Sequence, residues 1–574
     1  MNLLQSDNRR RPHLGTHLSL LISLSVAAVG LLLFSQCAPL PVAIPTSTPT
    51  RTPRIPTPTV TITPSPTSTP AFPVSIGCVQ ELPDEVCEQF QAIAAQISTH
   101  FVWTDDAAQA TVVAGREATP GSRRIGLWTY AVAAPFYTVA DGLSTGDLQS
   151  AWSGTPSGPL IEHALLMSQD TRDILSALWG PTQSESIVTV AASEILTTAQ
   201  QLNAWAIVPF HALDPKWKVM RVDGLSLLEK GLSQESYPLS FPIYVGSATR
   251  AETLALLPLQ PTTFVNRDEG SMTIVVMTGV TALTRATAQL MDRMGVTYPA
   301  RDIKAWFTDA DFVHISNEVS FKPDCIAEGS GTMSFCSHDS YIGLLEEIKT
   351  NVVELTGNHL EDKGSQWVDH SLEMYRQRGW LWYGGGANQI EAARPITITH
   401  AGNHIAFIGC NTVGPFAGED SGGAAACDFA QVSADLQQLR SAGYLPIMTV
   451  QYLEDYSYSP TPAQIRDFRF LAEAGAVVVQ GSQAHQAQTM EFHGDTFIHY
   501  GLGNFFFDQM WSDGTRQEFV DRLTFYDGRL LSIDLRTAIL EEYGRPRPMT
   551  VGDPAPEADR SAFLEMIFSV SPQE

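Results

Sequence analysis

The sequence predicts a mixed α/β protein with two folded regions. From residue 272 onward, five apolar runs of strand length alternate with helical stretches, which is the pattern of a sheet covered by helices. A second α/β pattern occupies residues 75–260. The chain of 574 residues is also too long for one hydrophobic core. We therefore expect a C-terminal α/β domain behind a separate N-terminal α/β domain.

Composition limits the partners. The formal net charge is −26, which argues against nucleic acid as a partner because phosphate backbones select basic surfaces. Hydrophobic residues make up 44% and charged residues 17%, as in a globular protein with a surface of low charge. Such a protein could bind an acidic ligand only through suitable side chains at the binding site itself.

The N-terminus predicts export. Arg9, Arg10 and Arg11 precede an uncharged apolar run at 18–34, and Cys37 follows it closely. Residues 33–37, LFSQC, resemble a bacterial lipoprotein cleavage box, which implies lipidation of Cys37; Gln36 departs from the small residue preferred there, so an uncleaved membrane anchor is the alternative. With residues 1–37 as signal and anchor, we expect the chain at the extracytoplasmic face of the cell membrane.

Residues 38–73 predict an extended spacer. They contain 11 Pro and 10 Thr and lack an apolar cluster that could form a core. A polyproline-like segment of this length reaches up to about 110 Å. We expect it to hold the folded part away from the membrane.

The remaining six cysteines predict disulfides, because an even number is typical of an exported chain. They lie in three close pairs, although six cysteines formally allow other pairings: Cys78 with Cys87, Cys325 with Cys336 and Cys410 with Cys427. A zinc site is the weaker alternative, since no CxxC spacing occurs.

Residues 75–260 show helical periodicity at 84–97 and strand-like runs at 110–113 and 125–133. Two phrases, YAVAAP at 130–135 with its continuation at 142–154 and YPLSFPIY at 237–244, resemble extracytoplasmic solute-binding proteins of the phosphate-binding kind. The resemblance implies a small anionic ligand. The alternative is a degenerate domain that binds protein or nothing.

Five apolar runs organise the C-terminal region, and polar motifs follow them; the runs are 273–277, 312–315, 352–355, 445–450 and 476–479. If these strands share a sheet, their loops converge on one edge, where α/β sheets bind ligands. Between them, Thr461 and Pro462 predict the start of a helix that ends at Gly475.

The motifs carry a resemblance. GLGNFFFDQ at 501–509 resembles the SLGNFIFDQ signature of the CapA family of capsule or poly-γ-glutamate synthesis proteins. Further matches, in the family's order, are Asn317 with Glu318, the 357–359 loop with Asp362, 384–388 with 393–395, and 451–456. The resemblance covers roughly 270–512 and implies a metallophosphatase-like αββα sandwich over 270–545.

It also implies a site. Two-metal phosphoesterases collect ligands from several loops around ions about 3.5–4 Å apart. The matching positions make Glu318, Asn358 and His485 candidate metal ligands and His359 a candidate general acid. Other candidate cleft residues are Asn317, Asp455, Asn504 and Arg394.

Departures from the family pattern reduce this site. Val280, Gln451, Ser482 and Gln483 stand where the family has carboxylate or imidazole ligands. Amides and hydroxyls are poor substitutes for those groups in holding a divalent ion. We therefore expect at most one divalent metal ion and no other cofactor.

Two function hypotheses remain open. One is a metallophosphoesterase-like hydrolase or polymer-processing enzyme with an incomplete ligand set; the other is a tethered protein that binds an anionic polymer or a small anion. Asn358 and Asn504 could instead form turns beside glycines, and His359 and His485 could be buried structural histidines. Glu318 should meet Arg285, Arg394 or a cation, because an unpaired buried carboxylate is costly.

Overall fold

The computed structural model describes residues 72–327, 329 and 331–572. The predicted anchor, Cys37 and the spacer up to residue 71 lie outside the described residues. Residues from Pro70 onward belong to one compact unit. The mixed α/β class predicted from the sequence is confirmed.

The N-terminal part is built on one large sheet with helices packed on it. Its strands are β1 (Val74–Cys78), β2 (Phe101–Trp103), β3 (Val112–Gly115), β4 (Arg123–Pro135), β5 (Gly142–Leu143), β6 (Leu165–Met167), β7 (Ile187–Thr189), β8 (Trp205–Pro209), β9 (Trp217–Val219), β10 (Arg221–Val222), β11 (Ser240–Gly246) and β12 (Phe264–Val265). Its helices are α1 (Asp84–Gln96), α2 (Thr145–Trp152), α3 (Gln169–Trp179) and α4 (Ile195–Leu202). The order of strands in the large sheet is β2-β1-β3-β11-β4-β8-β6-β7, with β9 and β12 paired to β4; β5 and β10 are not part of this sheet.

The C-terminal part contains two larger sheets. Its strands are β13 (Met272–Thr278), β14 (Val280–Thr281), β15 (Phe312–Asn317), β16 (Phe321–Lys322), β17 (Ser337–His338), β18 (Val352–Glu354), β19 (Leu381–Tyr383), β20 (Gly385–Gly386), β21 (Ile396–His400), β22 (Asn403–Asn411), β23 (Gly423–Ala424), β24 (Leu445–Asp455), β25 (Val478–Ala484), β26 (Met490–His493), β27 (Thr496–His499), β28 (Gln517–Tyr526), β29 (Arg529–Glu541) and β30 (Arg545–Pro548). Its helices are α5 (Arg285–Met294), α6 (Ile342–Glu347), α7 (Gln366–Arg378), α8 (Gln389–Ala392), α9 (Phe429–Ser441), α10 (Pro462–Glu473) and α11 (Arg560–Ser569).

The two sheets pack face to face with helices outside. One has the order β19-β18-β15-β13-β28-β29-β30 with β14 beside β15, and the other β21-β22-β24-β25-β27-β26. Met277, Phe407 and Phe519 belong to the buried cluster between them. On the outer face of the second sheet, Leu436 of α9 and Phe468 of α10 are buried in another cluster. The layers are therefore helix, sheet, sheet, helix.

Local sequence signals explain α10. The Thr461 side chain accepts a hydrogen bond from the Gln464 backbone N–H at 3.2 Å, so Thr461 caps the helix that Pro462 begins. The chain leaves the helix at Gly475, whose φ of +116° suits glycine. The predicted start and end are both confirmed.

Side chains from the N-terminal part contact the C-terminal sheets. Lys230 Nζ lies 2.6 Å from Asp311 Oδ2, and Arg529 Nη1 donates to the Leu213 carbonyl at 2.7 Å. The Phe136 and Phe492 rings meet edge to face with centroids 5.0 Å apart. These polar and aromatic contacts hold the two parts together.

Candidate functional site

The side chains of Glu318, Asn358 and Gln451 meet at one edge of the two C-terminal sheets. Strands β15 and β18 are parallel neighbours in one sheet, and β24 and β25 are parallel neighbours in the other. Glu318 follows β15, Asn358 follows β18, and Gln451 lies in β24. Gln451 Nε2 is 3.1 Å from Glu318 Oε1 and 3.3 Å from Asn358 Oδ1, so the two sheets present their carboxyl ends to the same cleft.

The centre of the cleft is the Gln451 amide. Its nitrogen faces three oxygens: Glu318 Oε1, Asn358 Oδ1 and Gln483 Oε1. Glu318 is 2% exposed and Gln451 1% exposed, so these contacts are made away from solvent. Gly357 permits the close packing, because a Cβ there would lie 2.5 Å from the Glu318 Cα. One buried amide group therefore joins oxygens from two loops and from strand β25.

This arrangement does not fit a two-metal centre. Three converging oxygens are the ligand type that hard divalent cations prefer. The space at their focus is filled by the Gln451 amide nitrogen, which is a donor and cannot ligate a cation. Within the described residues, no group of three or more His, Cys, Asp or Glu side chains is placed to hold a metal ion. A single ion could bind only after the Gln451 amide had moved.

His359 is held by a carboxylate. Its Nδ1 lies 2.7 Å from Asp362 Oδ2, and the same oxygen accepts the Phe335 backbone N–H at 2.7 Å. Burial lowers the pKa of His359, but the hydrogen bond to Asp362 and the charge of Glu318 outweigh it, and the pKa is raised. The ring packs on Phe335 with centroids 4.4 Å apart. His359 is thus oriented as a donor toward Asp362, with Nε2 as its remaining polar atom.

His485 is oriented by an amide. Its Nδ1 lies 2.9 Å from Asn504 Oδ1; because that oxygen can only accept, Nδ1 is the donor, and Nε2 is the remaining polar atom of the ring. Asn504 Nδ2 donates to the carbonyls of His485 and Thr515, each at 2.9 Å. Asn504 therefore satisfies loop backbone and fixes His485 at once. The ring of Tyr456 stacks on the ring of His485, with centroids 6.2 Å apart.

Three other predicted cleft residues have different surroundings. Asn317 Nδ2 donates to the Val319 carbonyl at 2.8 Å and to the Tyr375 hydroxyl at 2.9 Å. Asp455 accepts the backbone N–H of Tyr456 and a hydrogen bond from the side chain of Gln488. Arg394 is exposed just beyond helix α8. None of these contacts involves the oxygens around Gln451.

The partner of Glu318 differs from the expected one. Arginine or a cation was expected, yet Glu318 Oε1 accepts from Gln451 at 3.1 Å. Arg285 is paired with Asp508 instead. Gln451, which stands where the family has a ligand, therefore donates the hydrogen bond that the buried Glu318 carboxylate needs.

Sequence reasoning missed the side chains that surround the two histidines. Phe335 contacts His359, and Phe507 contacts His485 at 5.5 Å. Phe507 lies within the nonapeptide motif, where it could have been noticed, whereas Phe335 carries no local signal. The sequence pattern indicates only that Gln451 and Gln483 replace ligands, and not that their side chains contact each other.

All three predicted disulfides are present: Cys78 with Cys87, Cys325 with Cys336 and Cys410 with Cys427. Over the part of the chain that the structure describes, no helix has the length and apolar character needed to span a membrane.

Solved structures give weak likenesses. A phosphatase from Mycoplasma pneumoniae aligns with a TM-score of 0.32 and 11% identity, covering 48% of this chain and 95% of its own. An ABC-type phosphate transport receptor from Vibrio cholerae aligns with a TM-score of 0.26 and 12% identity, covering 32% of this chain and 90% of its own. Likenesses at this level identify neither a ligand nor a reaction.

Sequence comparison identifies the C-terminal domain. The family model described as "Bacterial capsule synthesis protein PGA_cap" matches residues 274–509. The capsule biosynthesis protein CapA of Bacillus anthracis is 21% identical over 54% of this chain and 77% of its own length. The PGA biosynthesis protein CapA of Bacillus subtilis (strain 168) is 21% identical over 40% of this chain and 61% of its own. Over residues 274–509, this chain is therefore similar to the bacterial capsule synthesis protein family.

Proposed function

We propose that this protein is a membrane-anchored, extracytoplasmic CapA-like protein that binds an anionic capsule polymer of the poly-γ-glutamate type during its synthesis, export or anchoring. The observation that carries the proposal is the Gln451 amide nitrogen among the oxygens of Glu318, Asn358 and Gln483. A cleft organised by an amide is suited to binding, whereas two-metal hydrolysis needs cations at its centre.

The chemistry of the cleft supports a polymer that combines amides and carboxylates. Amide side chains both donate and accept hydrogen bonds, so Asn358, the one half-buried amide of the three, can pair with a peptide group. The raised pKa of His359 favours its protonated form, in which Nε2 can donate to a carboxylate. The overall charge of −26 would repel a polyanion at long range, so recognition must depend on such local groups.

The anchoring part of the proposal rests on residues 1–37, where a basic segment, an apolar run and Cys37 follow one another. Two acyl chains on a lipidated Cys37 would suffice for stable attachment. A mature N-terminal peptide that carries an acyl mass at Cys37 is the expected result of mass spectrometry. A mature chain that begins elsewhere would contradict this part.

A weak single-metal hydrolase is the second candidate. It is favoured by the His359–Asp362 pair, which holds an imidazole in a fixed orientation as general acids require. If the Gln451 amide moved aside, Glu318, Asn358 and His485 would hold one ion, which would supply Lewis acidity. Turnover should be slow, because a single ion cannot stabilise both the attacking and the leaving oxygen.

The test compares binding with hydrolysis in the full-length protein purified in detergent. Poly-γ-glutamate binding and generic phosphoester hydrolysis are measured for the parent, His359→Ala and His485→Ala. His163→Ala is the matched control, because its ring lies on Trp205 in the N-terminal part. We expect polymer binding that weakens in the two cleft variants and not in the control. Absence of binding by the parent, together with brisk phosphoester turnover, would overturn the proposal.

A further inference from the structure

Arg285 lies beside the cleft in an unusual backbone conformation. It is the first residue of α5, and its φ of +46° is in the left-handed region that side chains other than glycine rarely adopt. Such positions persist where the surroundings hold the residue firmly, and they concentrate at functional sites. The side chain of Arg285 must therefore make contacts that outweigh its backbone cost.

Asp508 holds Arg285 in place. Arg285 Nε donates to Asp508 Oδ1 at 3.0 Å, and Arg285 Nη2 donates to the same oxygen. The other oxygen, Oδ2, accepts the backbone N–H of Ala286 at 3.0 Å, at the start of α5. Both side chains are nearly buried. Asp508 thus fixes the guanidinium and the helix that carries it at the same time.

The guanidinium of Arg285 contacts two aromatic rings. Its central carbon is 5.0 Å from the Phe335 ring centroid and 4.9 Å from that of Phe507. The ring of Phe335 in turn contacts His359 at 4.4 Å, and the ring of Phe507 contacts His485 at 5.5 Å. Arg285 is therefore the common neighbour of the two rings that support the two histidines.

The two rings also contact each other, edge to face, with centroids 6.5 Å apart. Phe335 and Phe507 share a small buried cluster with Val280, Ala282 and Val319, which is separate from the larger cores. A planar guanidinium can contact aromatic rings while its edge pairs with a carboxylate, which the ammonium of lysine cannot do in the same way. The identity of Arg285 is thus set by both contacts.

From these contacts we infer that Arg285, fixed by Asp508, is the positioning residue of the cleft: through the rings of Phe335 and Phe507 it sets where His359 and His485 lie. The inference rests on the proposed function only in taking these two histidines as the working groups of the cleft. Arg285 itself acts through the two rings and is not a catalytic residue.

The test observes the histidine rings directly. Ring-proton resonances of the full-length protein with labelled histidines are recorded at one pH for the parent, Arg285→Met and Arg285→Lys. We expect the resonances of both His359 and His485 to move in Arg285→Met, since ring currents depend steeply on position, and those of His163 to stay. Arg285→Lys keeps the charge but should restore the resonances only in part.

Two controls separate positioning from general destabilisation. Arg469→Met removes a half-buried arginine that donates to Glu491 at 2.8 Å outside the cleft, and it should leave both cleft histidines unchanged. If Arg285→Met does not fold, Asp508→Asn replaces it, because it removes the charge that fixes the guanidinium: the resonances of both His359 and His485 should then move. Unchanged cleft resonances in Arg285→Met, or in Asp508→Asn where that variant is used, would overturn the inference.

Polymer affinity distinguishes this inference from the proposed function. If the parent binds poly-γ-glutamate, Arg285→Met should weaken binding at least tenfold and Arg469→Met should not. If the parent does not bind and the histidine resonances still move in Arg285→Met, the proposed function fails and the positioning role stands. If the parent binds but the resonances do not move, the positioning role fails alone.

Discussion

Replacing Asp170 by Asn should stabilise the protein at neutral pH but not at low pH. Burial raises the pKa of the Asp170 carboxyl from 3.8 to about 6, with a smaller contribution in the same direction from the charges of Asp84, Asp173 and Glu85. Its Oδ1 accepts the Asp84 backbone N–H at 3.2 Å, at the start of α1. The oxygen of an asparagine can keep that hydrogen bond, so the substitution removes mainly the charge.

The magnitude follows from the difference between the folded and unfolded pKa. The pKa rises from 3.8 to about 6, which corresponds to at most about 3 kcal/mol at 1.36 kcal/mol per unit. Because Asp170 is partly exposed, solvent screening reduces this to on the order of 1 kcal/mol. The native state holds the proton more tightly than the unfolded chain does. The stability of the parent therefore falls as pH rises from 3.8 to about 6 and stays lower above that range.

Urea unfolding followed by fluorescence at about pH 3.5 and about pH 7.5 measures this effect. Asp170→Asn should gain on the order of 1 kcal/mol over the parent at the higher pH and little at the lower. Asp173→Asn, at an exposed position on the same helix, is the matched control and should show a smaller difference between the two conditions. An equal effect of Asp170→Asn at both pH values would refute the reasoning.

Three further predictions concern stability. Neither carboxylate oxygen of Glu518 has a hydrogen-bond partner among the described residues, and burial raises its pKa well above the usual range. Because the parent loses stability as pH rises above the unfolded pKa, Glu518→Gln should raise the free energy of unfolding by about 1–3 kcal/mol at neutral pH. No gain in urea unfolding would contradict this. Glu354 Oε2 lies 3.2 Å from Nε2 of the fully buried His314. Glu354→Ala should therefore lower the free energy of unfolding by about 3–5 kcal/mol in the same assay, and a loss below about 1 kcal/mol would show that the pair contributes little. Replacing both Cys325 and Cys336 by Ser should lower stability by about 3 kcal/mol because the short loop opens, and an unchanged melting temperature by calorimetry would refute that estimate.

Local rules predicted much of the fold. Thr461, Pro462 and Gly475 mark the ends of α10 because caps, proline and glycine act within one turn of the chain. The order of strands and motifs also predicted that Glu318 and Asn358 would converge, since the carboxyl ends of parallel strands share an edge.

Contacts between distant segments could not be predicted in this way. Gln451 contacts Glu318 only because two sheets pack face to face at one particular separation, which no periodicity encodes. Phe335 reaches His359 from a loop that the Cys325–Cys336 disulfide closes. The sequence therefore indicated which ligands had been replaced but not what the replacing side chains would do.

Metal stoichiometry tests the central claim most directly. The parent and Gln451→His, which returns an imidazole to the centre of the cleft, are loaded with Mn²⁺, and the bound metal is measured by elemental analysis after exhaustive dialysis. The account predicts that the parent retains at most one equivalent and that Gln451→His retains more than the parent, because the amide nitrogen no longer fills the focus of the three oxygens. Two equivalents bound by the parent would contradict it.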